Sequence, residues 1–475
     1  MVFGFFYKLF YIALNIMKRT FLIIAFFFCF SNLFSQEIIG SWAGELAVSG
    51  TKLPLVFTIK QNGADLITTM DSPMQGAKDL PTDNTSFIDN ELSIDAKKFG
   101  ISYKGKFEYE TIKGTFSQGG ASMPLILSRK KEGESILKRP QTPQPPFNYN
   151  IEDVAFTNPK DKNTLAGTLT APSDKKDFPV VVLISGSGQQ NRNSEIFGHK
   201  EFWVIADDFA KKGIGVLRVD DRGTGDSNGA TLTMTTENFA GDTNAAVEFL
   251  AQKGYGNIGL IGHSEGGIIA PMVASQNPKV KFIVSMAGPG IPTDELLLLQ
   301  SNAIAKASGA TEEELKSSEA ANRKIYSFIK NYNGNDLNGE VKKIVIAQMQ
   351  ILPKEQQPSA DEIEKIAEEE SKKISIPWFS YFMKINPDVY WSKLKIPVLA
   401  INGSKDLQVI PKENLAGIKA SLEKAKNKHF ETLEFPNLNH LFQEAKTGSI
   451  EEYAQIEQTI APQVLDKMSS WILKK

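Results

Sequence analysis

Residues 262–266 read Gly-His-Ser-Glu-Gly, a G-x-S-x-G pattern whose central serine could act as a nucleophile. An apolar run at 258–261 precedes the pattern, and a second apolar run follows it at 267–270. This context predicts a strand that turns sharply into a helix, as a nucleophile elbow requires. Small residues on both sides of the serine let the two backbones approach closely. We expect the turn to expose the Ser264 hydroxyl at the carboxyl end of a sheet and to aim the backbone N–H of Glu265 at a developing oxyanion.

A serine hydroxyl becomes an effective nucleophile when an adjacent base, usually a histidine, accepts its proton. The chain has four histidines. His440 follows the last predicted strand, in the loop at 437–442, which places it at the carboxyl edge of the sheet where the base is needed. The others fit less well: His263 has an elbow position that normally points away, His199 is expected to be a surface or helix-cap residue, and His429 is expected to be solvated.

The acid of such a triad should follow the preceding strand, because it has to hold the imidazole from the same edge of the sheet. Asp406 lies in the loop after the apolar run at 397–401. The chain order is then serine, aspartate, histidine, which is the order expected of α/β-hydrolases. Asp294 and, more weakly, Asp388 compete for this role, and Asp406 could alternatively cap a turn.

A second oxyanion donor is expected in the loop after the first buried strand, because glycines there let the backbone approach a substrate. The loop reads Ser-Gly-Ser-Gly-Gln at 185–189. The backbone N–H of Ser187 is the favoured donor, with Gly188 or Gln189 as alternatives. A G-x-G-x-x-G nucleotide loop is excluded, because asparagine occupies position 191.

The stretch at 220–227 follows the second buried strand and reads Asp-Asp-Arg-Gly-Thr-Gly-Asp-Ser. We interpret its arginine and aspartates as structural groups that pin their loop beside the oxyanion loop. Direct contact with a substrate is the alternative.

Residues 150–475 alternate predicted strands with predicted helices, beginning with a β-hairpin at 154–169. Continuous apolar runs are typical of strands covered on both faces, so the fold class is α/β with a mostly parallel, doubly wound sheet. The alternation stops at 294–390, where helical spacing predicts a helical cap over the carboxyl edge of the sheet. The predicted strands are 180–184, 215–219, 258–261, 282–286, 397–401 and 432–435, and the predicted helices include 202–212, 237–253 and 415–424.

Residues 37–129 are predicted to form a separate all-β domain, because short β-rich runs alternate there with Gly, Asn and Asp turn signals. A Gly-x-Trp pattern near its first strand, at 40–44, resembles the start of lipocalin-like barrels, and a β-sandwich with one buried tryptophan is the alternative. Four prolines at 130–149 predict a stiff linker between the two parts.

The first 35 residues are predicted to be a secretory signal peptide, with Met17 as an alternative start. Two basic residues at 18–19 precede an apolar stretch at 21–30, and small and polar residues follow, in the order of n-region, h-region and cleavage site. We expect cleavage after Ser35 and export to the periplasm or the extracellular space. An uncleaved membrane anchor is the competing interpretation, although the apolar stretch is short for a span.

Composition excludes several classes of function. A net charge of −2 over 475 residues gives no indication of a nucleic-acid or acidic partner. Cys29 is the single cysteine, so an intrachain disulfide, a thiolate metal cluster and a cysteine nucleophile in the body of the chain are excluded. The length allows more than one domain and leaves the oligomeric state open.

These motifs together resemble the α/β-hydrolase superfamily. The Gly-Ser-Gly loop at 186–188, the D-x-R-G-x-G-x-S stretch, the elbow and the helical insertion are similar to those of bacterial serine esterases with an extra N-terminal domain. The resemblance covers 150–475 and implies hydrolysis of carboxylic esters without a metal or an organic cofactor. Ser185 departs from the pattern, since many relatives have histidine before the glycine.

The sequence therefore predicts an exported serine carboxylesterase that acts on a small-molecule ester through an acyl-enzyme. Ser264 would be the nucleophile, His440 the base, Asp406 its orienting acid, and Glu265 and Ser187 the oxyanion donors. A peptidase or aminoacyl hydrolase of the same fold is one alternative. A carrier, whose β-domain binds an apolar ligand beside an inert hydrolase half, is an alternative from another class.

Overall fold

The computed structural model describes residues 37–48, 51–131, 137–173, 177–351, 354 and 357–475. The chain forms two compact units that divide between Lys138 and Arg139. The predicted leader, with Met17 and Cys29, lies outside the described residues, so its cleavage and the export of the chain stay predictions. Within the described residues, no helix combines the length and the apolar character needed to span a membrane.

The first unit is one nine-stranded antiparallel sheet in which strands adjacent in sequence pair, except that the fourth and fifth strands form the two edges and the first strand also pairs with the last. The sheet curves until its ends approach each other, where the hydroxyl of Thr85 donates to that of Thr68 at 2.8 Å. Its strands are β1 Gly40–Val48, β2 Thr51–Asn62, β3 Asp65–Ser72, β4 Ala77–Pro81, β5 Asn84–Ile88, β6 Glu91–Ala96, β7 Ile101–Glu108, β8 Thr111–Gln118 and β9 Ala121–Lys130.

Large side chains fill the concave side of this sheet. Trp42, Phe57, Tyr103 and Phe116 are almost fully buried, and the rings of Phe57 and Tyr103 stack with their centroids 5.6 Å apart. The guanidinium of Arg129 lies 4.4 Å from the centre of the Trp42 ring, in cation–π contact. The predicted extra N-terminal β-domain is therefore confirmed. Its likeness to a lipocalin barrel stays a prediction.

The Tyr103 hydroxyl crosses the interior of this unit to reach backbone oxygens. It lies 3.0 Å from the carbonyl of Ile112 and 3.2 Å from that of Leu125. Burial raises the pKa of Tyr103, so the hydroxyl stays protonated and can donate. Gly105 and Gly114 leave room for it, because a Cβ at either position would lie 2.6–2.7 Å from the hydroxyl oxygen.

The stretch predicted as a linker is shorter than expected, because its second half belongs to the second unit. The guanidinium of Arg139 donates to the carbonyls of Phe197, Ala454 and Ile456 at 2.8–3.1 Å. Gln141 donates to the carbonyl of Ile460 at 2.8 Å. Five N–H donors in a planar fork let one arginine bind several carbonyls. These contacts fix the residues that composition alone suggested were an extended spacer.

The second unit contains an eight-stranded sheet that is antiparallel at one edge and parallel elsewhere, which confirms the α/β class. The spatial order is β10-β11-β15-β12-β16-β17-β18-β19, and a short hairpin of β13 and β14 lies outside it. The strands are β10 Tyr149–Thr157, β11 Thr164–Pro172, β12 Val180–Ile184, β13 Glu195–Ile196, β14 His199–Lys200, β15 Gly215–Val219, β16 Ile258–His263, β17 Val280–Met286, β18 Val398–Gly403 and β19 Phe430–Phe435.

Helices cover both faces of this sheet. Alternate residues of the central strand β12 therefore pack into two different cores. Val181 and Leu183 of β12 pack into one core, and Val180 and Val182 pack into the other. The covering helices are α1 Glu201–Lys212, α2 Thr236–Gln252, α3 Gly266–Ala274, α10 Pro411–Lys424 and α12 Pro462–Ile472, and a short helix, α11 Ile450–Tyr453, precedes the last of these.

Helices also occupy the insertion predicted at 294–390. They pack around a small core of their own, which includes Ile329 and Val341. A second cluster joins Leu296 and Phe382 of the insertion to Ile268 of α3, so the insertion rests on the helix that follows the elbow. The helices are α4 Thr293–Ala307, α5 Glu312–Asn331, α6 Leu337–Gln350, α7 Ala360–Ile374, α8 Pro377–Phe382 and α9 Asp388–Trp391. We call α4 to α9 the cap.

A buried carboxyl group begins helix α1. Glu201 is 2% exposed, and its Oε1 has no hydrogen-bond partner. Loss of hydration disfavours the ionised form, and burial raises the pKa of Glu201 to about 8. The environment of the Glu201 carboxyl group therefore favours its protonated, uncharged form.

We predict that Tyr103→Phe weakens the β-domain by about 1–2 kcal/mol, because the buried hydrogen bond from the hydroxyl to the backbone carbonyls is lost. Hydrogen exchange followed by mass spectrometry reads the opening free energy of peptides from β7 to β9 separately from the second unit. Tyr109→Phe is the matched control, since Tyr109 is 99% exposed. Equal protection in both variants would contradict this role for the Tyr103 hydroxyl.

We predict that Glu201→Gln stabilises the second unit at alkaline pH. The folded-state pKa of Glu201 is raised, so its contribution to stability is present below the unfolded value of 4.5 and is lost as pH rises to about 8. Between pH 6 and pH 9 the native protein should lose on the order of 2–3 kcal/mol through this group, and the variant should not. Urea unfolding followed by tryptophan fluorescence at both pH values measures the difference.

The control for that experiment is Glu195→Gln, because Glu195 is an exposed glutamate six positions earlier in the chain. A Glu201→Gln variant with the same pH dependence as the native protein would show that this carboxyl group is not held neutral.

Candidate active site

The backbones on either side of Ser264 are in direct contact, and this contact requires glycine. A Cβ on Gly262 would lie 1.9 Å from the carbonyl oxygen of Gly266, and a Cβ on Gly266 would lie 2.3 Å from that of Ile184. Ser264 itself has a φ of +55°, a left-handed conformation that is uncommon for residues other than glycine. The strand–turn–helix predicted for the G-x-S-x-G pattern is present, with Ser264 between β16 and α3.

A neighbouring strand, β17, and the following helix, α3, hold this strained serine in place. Its N–H donates to the carbonyl of Met286 at 2.9 Å, and its own carbonyl accepts from the N–H of Gly267 at 2.8 Å. Gly186 packs against its side chain, since a Cβ there would lie 3.1 Å from Ser264 Cβ and 3.6 Å from Oγ. The predicted oxyanion loop therefore lies directly beside the predicted nucleophile.

Asp406 and His440 form a buried hydrogen-bonded pair. The Oδ2 atom of Asp406 lies 2.8 Å from Nδ1 of His440, and both side chains are at most 5% exposed. The other carboxylate oxygen, Oδ1, accepts from the backbone N–H groups of Gln408 and Val409 at 2.8 and 2.9 Å. An imidazole held through Nδ1 keeps Nε2 available to accept a proton. His440 and Ser264 line the same cavity.

His263 packs behind the pair and holds the backbone of the predicted base. Its Nε2 lies 2.9 Å from the carbonyl oxygen of His440, and the two imidazole rings are 4.7 Å apart. Burial lowers the pKa of His263 to about 3, so the ring is neutral and Nε2–H can donate to that carbonyl. Its Nδ1 is 4.0 Å from the Glu201 carboxyl group.

The two remaining histidines, His199 and His429, differ in burial. His199, expected at the surface or in a helix cap, is instead 1% exposed in β14, and we correct that expectation. Its ring bonds to the Thr459 hydroxyl at 2.9 Å and to the Tyr453 carbonyl at 3.0 Å, and burial lowers its pKa to about 4. Both partners lie more than 250 positions away, so local sequence gave no sign of them. His429 is exposed, as expected.

The two competing acids are paired with lysines of the second unit. Asp294 lies 2.6 Å from Lys330 within the cap, and Asp388 lies 2.6 Å from Lys424. Asp406 is the acid that the structure brings to His440.

The oxyanion loop is held at both ends by Asp221. The Ser185 hydroxyl donates to its carboxylate at 3.0 Å, and the backbone N–H of Gln190 donates to it at 2.9 Å. Burial raises the pKa of Asp221 to about 7. Ser185 thus fastens the start of the loop to Asp221.

Ser187 differs from Gly188 and Gln189, the alternative oxyanion donors, in its position relative to the cavity. It lines the cavity together with Ser264 and Glu265, whereas Gly188 and Gln189 are not part of the cavity wall. The Gln189 amide instead lies 3.4 Å from the carbonyls of Arg222 and Gly223. The position of Ser187 is compatible with the predicted N–H donor, and that role stays a prediction.

The stretch at 220–227 makes the structural contacts that we expected from it. Arg222 is buried and donates to Asp242 through two N–H groups at 2.8 Å. It also forms an ion pair with Asp161 at 2.8 Å. Together with the bonds from Asp221 to the oxyanion loop, these contacts fix the stretch beside that loop.

The side chain of Glu265 was not expected to take part in the site, yet it joins three segments. Its carboxylate accepts from the Thr236 hydroxyl at 2.7 Å and from the Trp378 indole N–H at 3.0 Å. Burial raises the pKa of Glu265, and these donors oppose the rise. Trp378 comes from cap helix α8, 113 positions away.

The cavity above Ser264 measures about 270 Å³, and the cap contributes four apolar side chains to its wall, those of Leu296, Leu297, Trp378 and Phe382. Within the described residues, no three His, Cys, Asp or Glu side chains are grouped to hold a metal ion. The cavity is lined by Gly186, Ser187, Gln190, Ser194, Ile196, His263, Ser264, Glu265, Pro289, Leu296, Leu297, Gln300, Trp378, Phe382, Gln408, Val409, His440, Leu441 and Tyr453.

The chain is similar to several known proteins. The esterase EstD of Thermotoga maritima is 25% identical over 313 residues, and the match covers 66% of each of the two chains. Among solved structures, the Pyrococcus furiosus esterase Pf2001 is 17% identical with a TM-score of 0.42, covering 72% of this chain and 98% of that one. The esterase domain of a Rhodothermus marinus protein is 16% identical with a TM-score of 0.37, covering 68% and 98%.

A sequence profile of the X-Pro dipeptidyl-peptidase (S15) family matches residues 161–440. The matched region starts in the loop after β10 and ends at His440, so it contains the elbow, the cap and the Asp406 loop. Because the profile matches more than half of the chain, the protein belongs to the S15 family and is a serine hydrolase of the α/β-hydrolase fold.

Proposed function

We propose that the protein hydrolyses carboxylic esters through an acyl-enzyme intermediate, with Ser264, His440 and Asp406 as its triad. The observation that carries the proposal is the buried Asp406–His440 hydrogen bond of 2.8 Å beside a cavity that Ser264 also lines. A carboxylate already bound by two backbone N–H groups is well placed to orient an imidazole and to stabilise its protonated form.

The reaction proceeds in two halves. In the first, Ser264 Oγ attacks the ester carbonyl carbon while His440 Nε2 takes the hydroxyl proton, and the same proton then leaves with the alcohol. In the second, water attacks the acyl carbonyl, His440 takes a proton from it, and the carboxylic acid departs as Ser264 Oγ is reprotonated. The backbone N–H groups of Glu265 and Ser187 stabilise the oxyanion in both halves.

The charge of the cavity favours an uncharged substrate. Among the described residues that line it, Glu265 is the one carboxylate, and it is 2% exposed and already accepts hydrogen bonds from Thr236 and Trp378. A peptide with a free amino terminus would need a carboxylate to bind its ammonium group, because burying an unpaired charge is costly. Leu296, Leu297 and Phe382 offer apolar contact instead.

Peptide or aminoacyl hydrolysis is the second candidate function, and the match to the X-Pro dipeptidyl-peptidase family favours it. The relative with an esterase name favours ester hydrolysis, although the chain spans only 66% of its length. The same triad chemistry would serve both reactions, so the choice depends on how the cavity binds the substrate.

We expect a fluorophosphonate probe to label Ser264 and p-nitrophenyl esters to be hydrolysed. Ser264→Ala should abolish labelling and lower kcat at least about 10³-fold, because the nucleophile is lost. Mass spectrometry locates the adduct, and Ser308→Ala, at an exposed serine of the chain, is the control. If the native protein is neither labelled by the probe nor able to hydrolyse the esters, the hydrolase unit is inert and the carrier interpretation is favoured.

We expect kcat/KM for p-nitrophenyl butanoate to exceed that for alanyl-prolyl-p-nitroanilide by roughly 10²-fold or more, because the cavity offers no free carboxylate for the ammonium group. N-acetylated alanyl-prolyl-p-nitroanilide is the control for the charge. If the free nitroanilide is hydrolysed faster than the ester, and N-acetylation of the nitroanilide abolishes its hydrolysis, the protein is a peptidase that requires a free amino terminus.

A further inference from the structure

Gln408 and Tyr453 form a hydrogen-bonded pair in the wall of the cavity, close to the acid of the proposed triad. The side-chain amide of Gln408 donates to the Tyr453 hydroxyl oxygen at 3.1 Å, and both residues line the cavity. Gln408 lies two positions after Asp406, whose Oδ1 accepts from the Gln408 backbone N–H at 2.8 Å. The amide of the pair is therefore carried by the same short loop as the carboxylate that holds His440.

Both members of the pair keep hydrogen-bonding capacity that the described residues do not use. Tyr453 is 1% exposed, and burial together with the nearby Asp406 carboxylate raises the pKa of its hydroxyl, so the group stays protonated. The Tyr453 oxygen accepts from Gln408, and no described residue accepts the hydroxyl proton. The Oε1 atom of Gln408 likewise accepts no hydrogen bond from the described residues. The pair thus offers one donor and one acceptor to a molecule in the cavity.

The apolar side chains of the cavity wall belong to a different, packed cluster. Leu296 and Phe382 of the cap are buried in this cluster together with Val409, and Trp378 packs against it. Tyr453 lies outside the cluster. One part of the wall is therefore a continuous apolar surface, and the Gln408–Tyr453 pair forms a separate polar part.

The chemistry of the triad indicates which part of an ester faces each part of the wall. His440 has to deliver a proton to the oxygen of the departing alcohol, so the alcohol lies on the histidine side of Ser264. The Asp406 loop, which carries Gln408, contacts the imidazole from that side. The alcohol part of the ester therefore meets the polar pair, and the acyl part is left to the apolar cluster of the cap.

We propose that Gln408 and Tyr453 form a subsite for a leaving alcohol that carries a second hydroxyl group, so that the preferred substrates are monoesters of diols or polyols with an apolar acid. This inference rests on the proposed ester hydrolysis and adds a substrate class to it. A hydroxyl group matches the pair, because it can accept from the Tyr453 O–H and donate to Gln408 Oε1 at the same time. A methyl group in its place makes neither bond.

The test compares 2-hydroxyethyl butanoate with propyl butanoate, two esters of nearly equal size in which a hydroxyl group replaces a methyl group. Release of butanoic acid by the full chain is followed by titration at constant pH, and alkaline hydrolysis without protein corrects for the intrinsic reactivity of each ester. We expect kcat/KM for the hydroxyethyl ester to exceed that for the propyl ester about tenfold, because the propyl ester leaves the polar groups of the pair unpaired.

Two variants remove the partners of the substrate hydroxyl one at a time. Tyr453→Phe removes the donor and Gln408→Met removes the acceptor, and both keep the approximate size of the side chain. Each should lower the ratio of the two kcat/KM values to about threefold, and the double variant should lower it to about unity. The ratio compares two substrates in one variant, so a general loss of activity cancels.

The matched control variants are Tyr109→Phe and Gln350→Met. Both residues are exposed, and neither lines the cavity. Their ratios should equal that of the native protein. Propyl 3-hydroxybutanoate, which carries the hydroxyl group in its acyl part, is the control for orientation. Its kcat/KM in the native protein should not exceed that of propyl butanoate, because the acyl part faces the apolar cluster.

Three results would overturn the subsite: a native ratio near unity, a native ratio that persists in both variants of the pair, or a preference for propyl 3-hydroxybutanoate over propyl butanoate. Each of them would leave ester hydrolysis by Ser264 intact. If the native protein neither reacts with fluorophosphonate nor cleaves any of the esters, the proposed function itself is refuted. If Tyr453→Phe does not fold, an unchanged ratio in Gln408→Met also overturns the subsite.

Discussion

The contact between two glycine backbones on either side of Ser264 is the constraint on which the rest of the hydrolase unit depends. With 1.9 Å between the Gly266 oxygen and the place where a Cβ of Gly262 would lie, no other residue fits without moving β16 away from α3. The left-handed φ of Ser264 follows from this tight turn, and hydrogen bonds to Met286 and Gly267 hold it. Strain at one residue persists where the surrounding structure is rigid enough to impose it. Here two fully buried cores, one on each face of the sheet, supply that rigidity.

Around this turn, most polar groups of the site hold backbone in place rather than reach into the cavity. Asp221 fastens the oxyanion loop, His263 fastens the His440 carbonyl, and Asp406 is itself fastened by two N–H groups. Buried polar groups that are fully hydrogen-bonded are costly to disturb, which makes such a network stiff. Glu265 is the one carboxylate among the described residues that line the cavity, although ionisable residues surround it closely.

The sequence predicted those parts of the fold that depend on local rules. The strand–turn–helix at Ser264 could be predicted because only glycine fits there, and Asp406 and His440 because parallel strands end at the same edge of the sheet. The burial of His199 could not be predicted, since its partners at Tyr453 and Thr459 are distant in sequence. The bond between Glu265 and Trp378 was also missed, because a tryptophan in a helix with apolar neighbours gives the same pattern whether or not its N–H has a partner. Such contacts form when elements distant in sequence pack together, and no periodic pattern of residues indicates them.

The arginine at the start of the second unit has a consequence for how the protein is made. Arg139 bonds to carbonyls of Ala454 and Ile456, more than 300 positions later, so the first residues of this unit find their partners only when nearly all of it has been synthesised. A growing chain that already contains the serine elbow still lacks His440 and the segment that closes against Arg139. Hydrolytic activity should therefore arise only after residues 440–456 have been synthesised, in one step, and not build up as successive strands join the sheet.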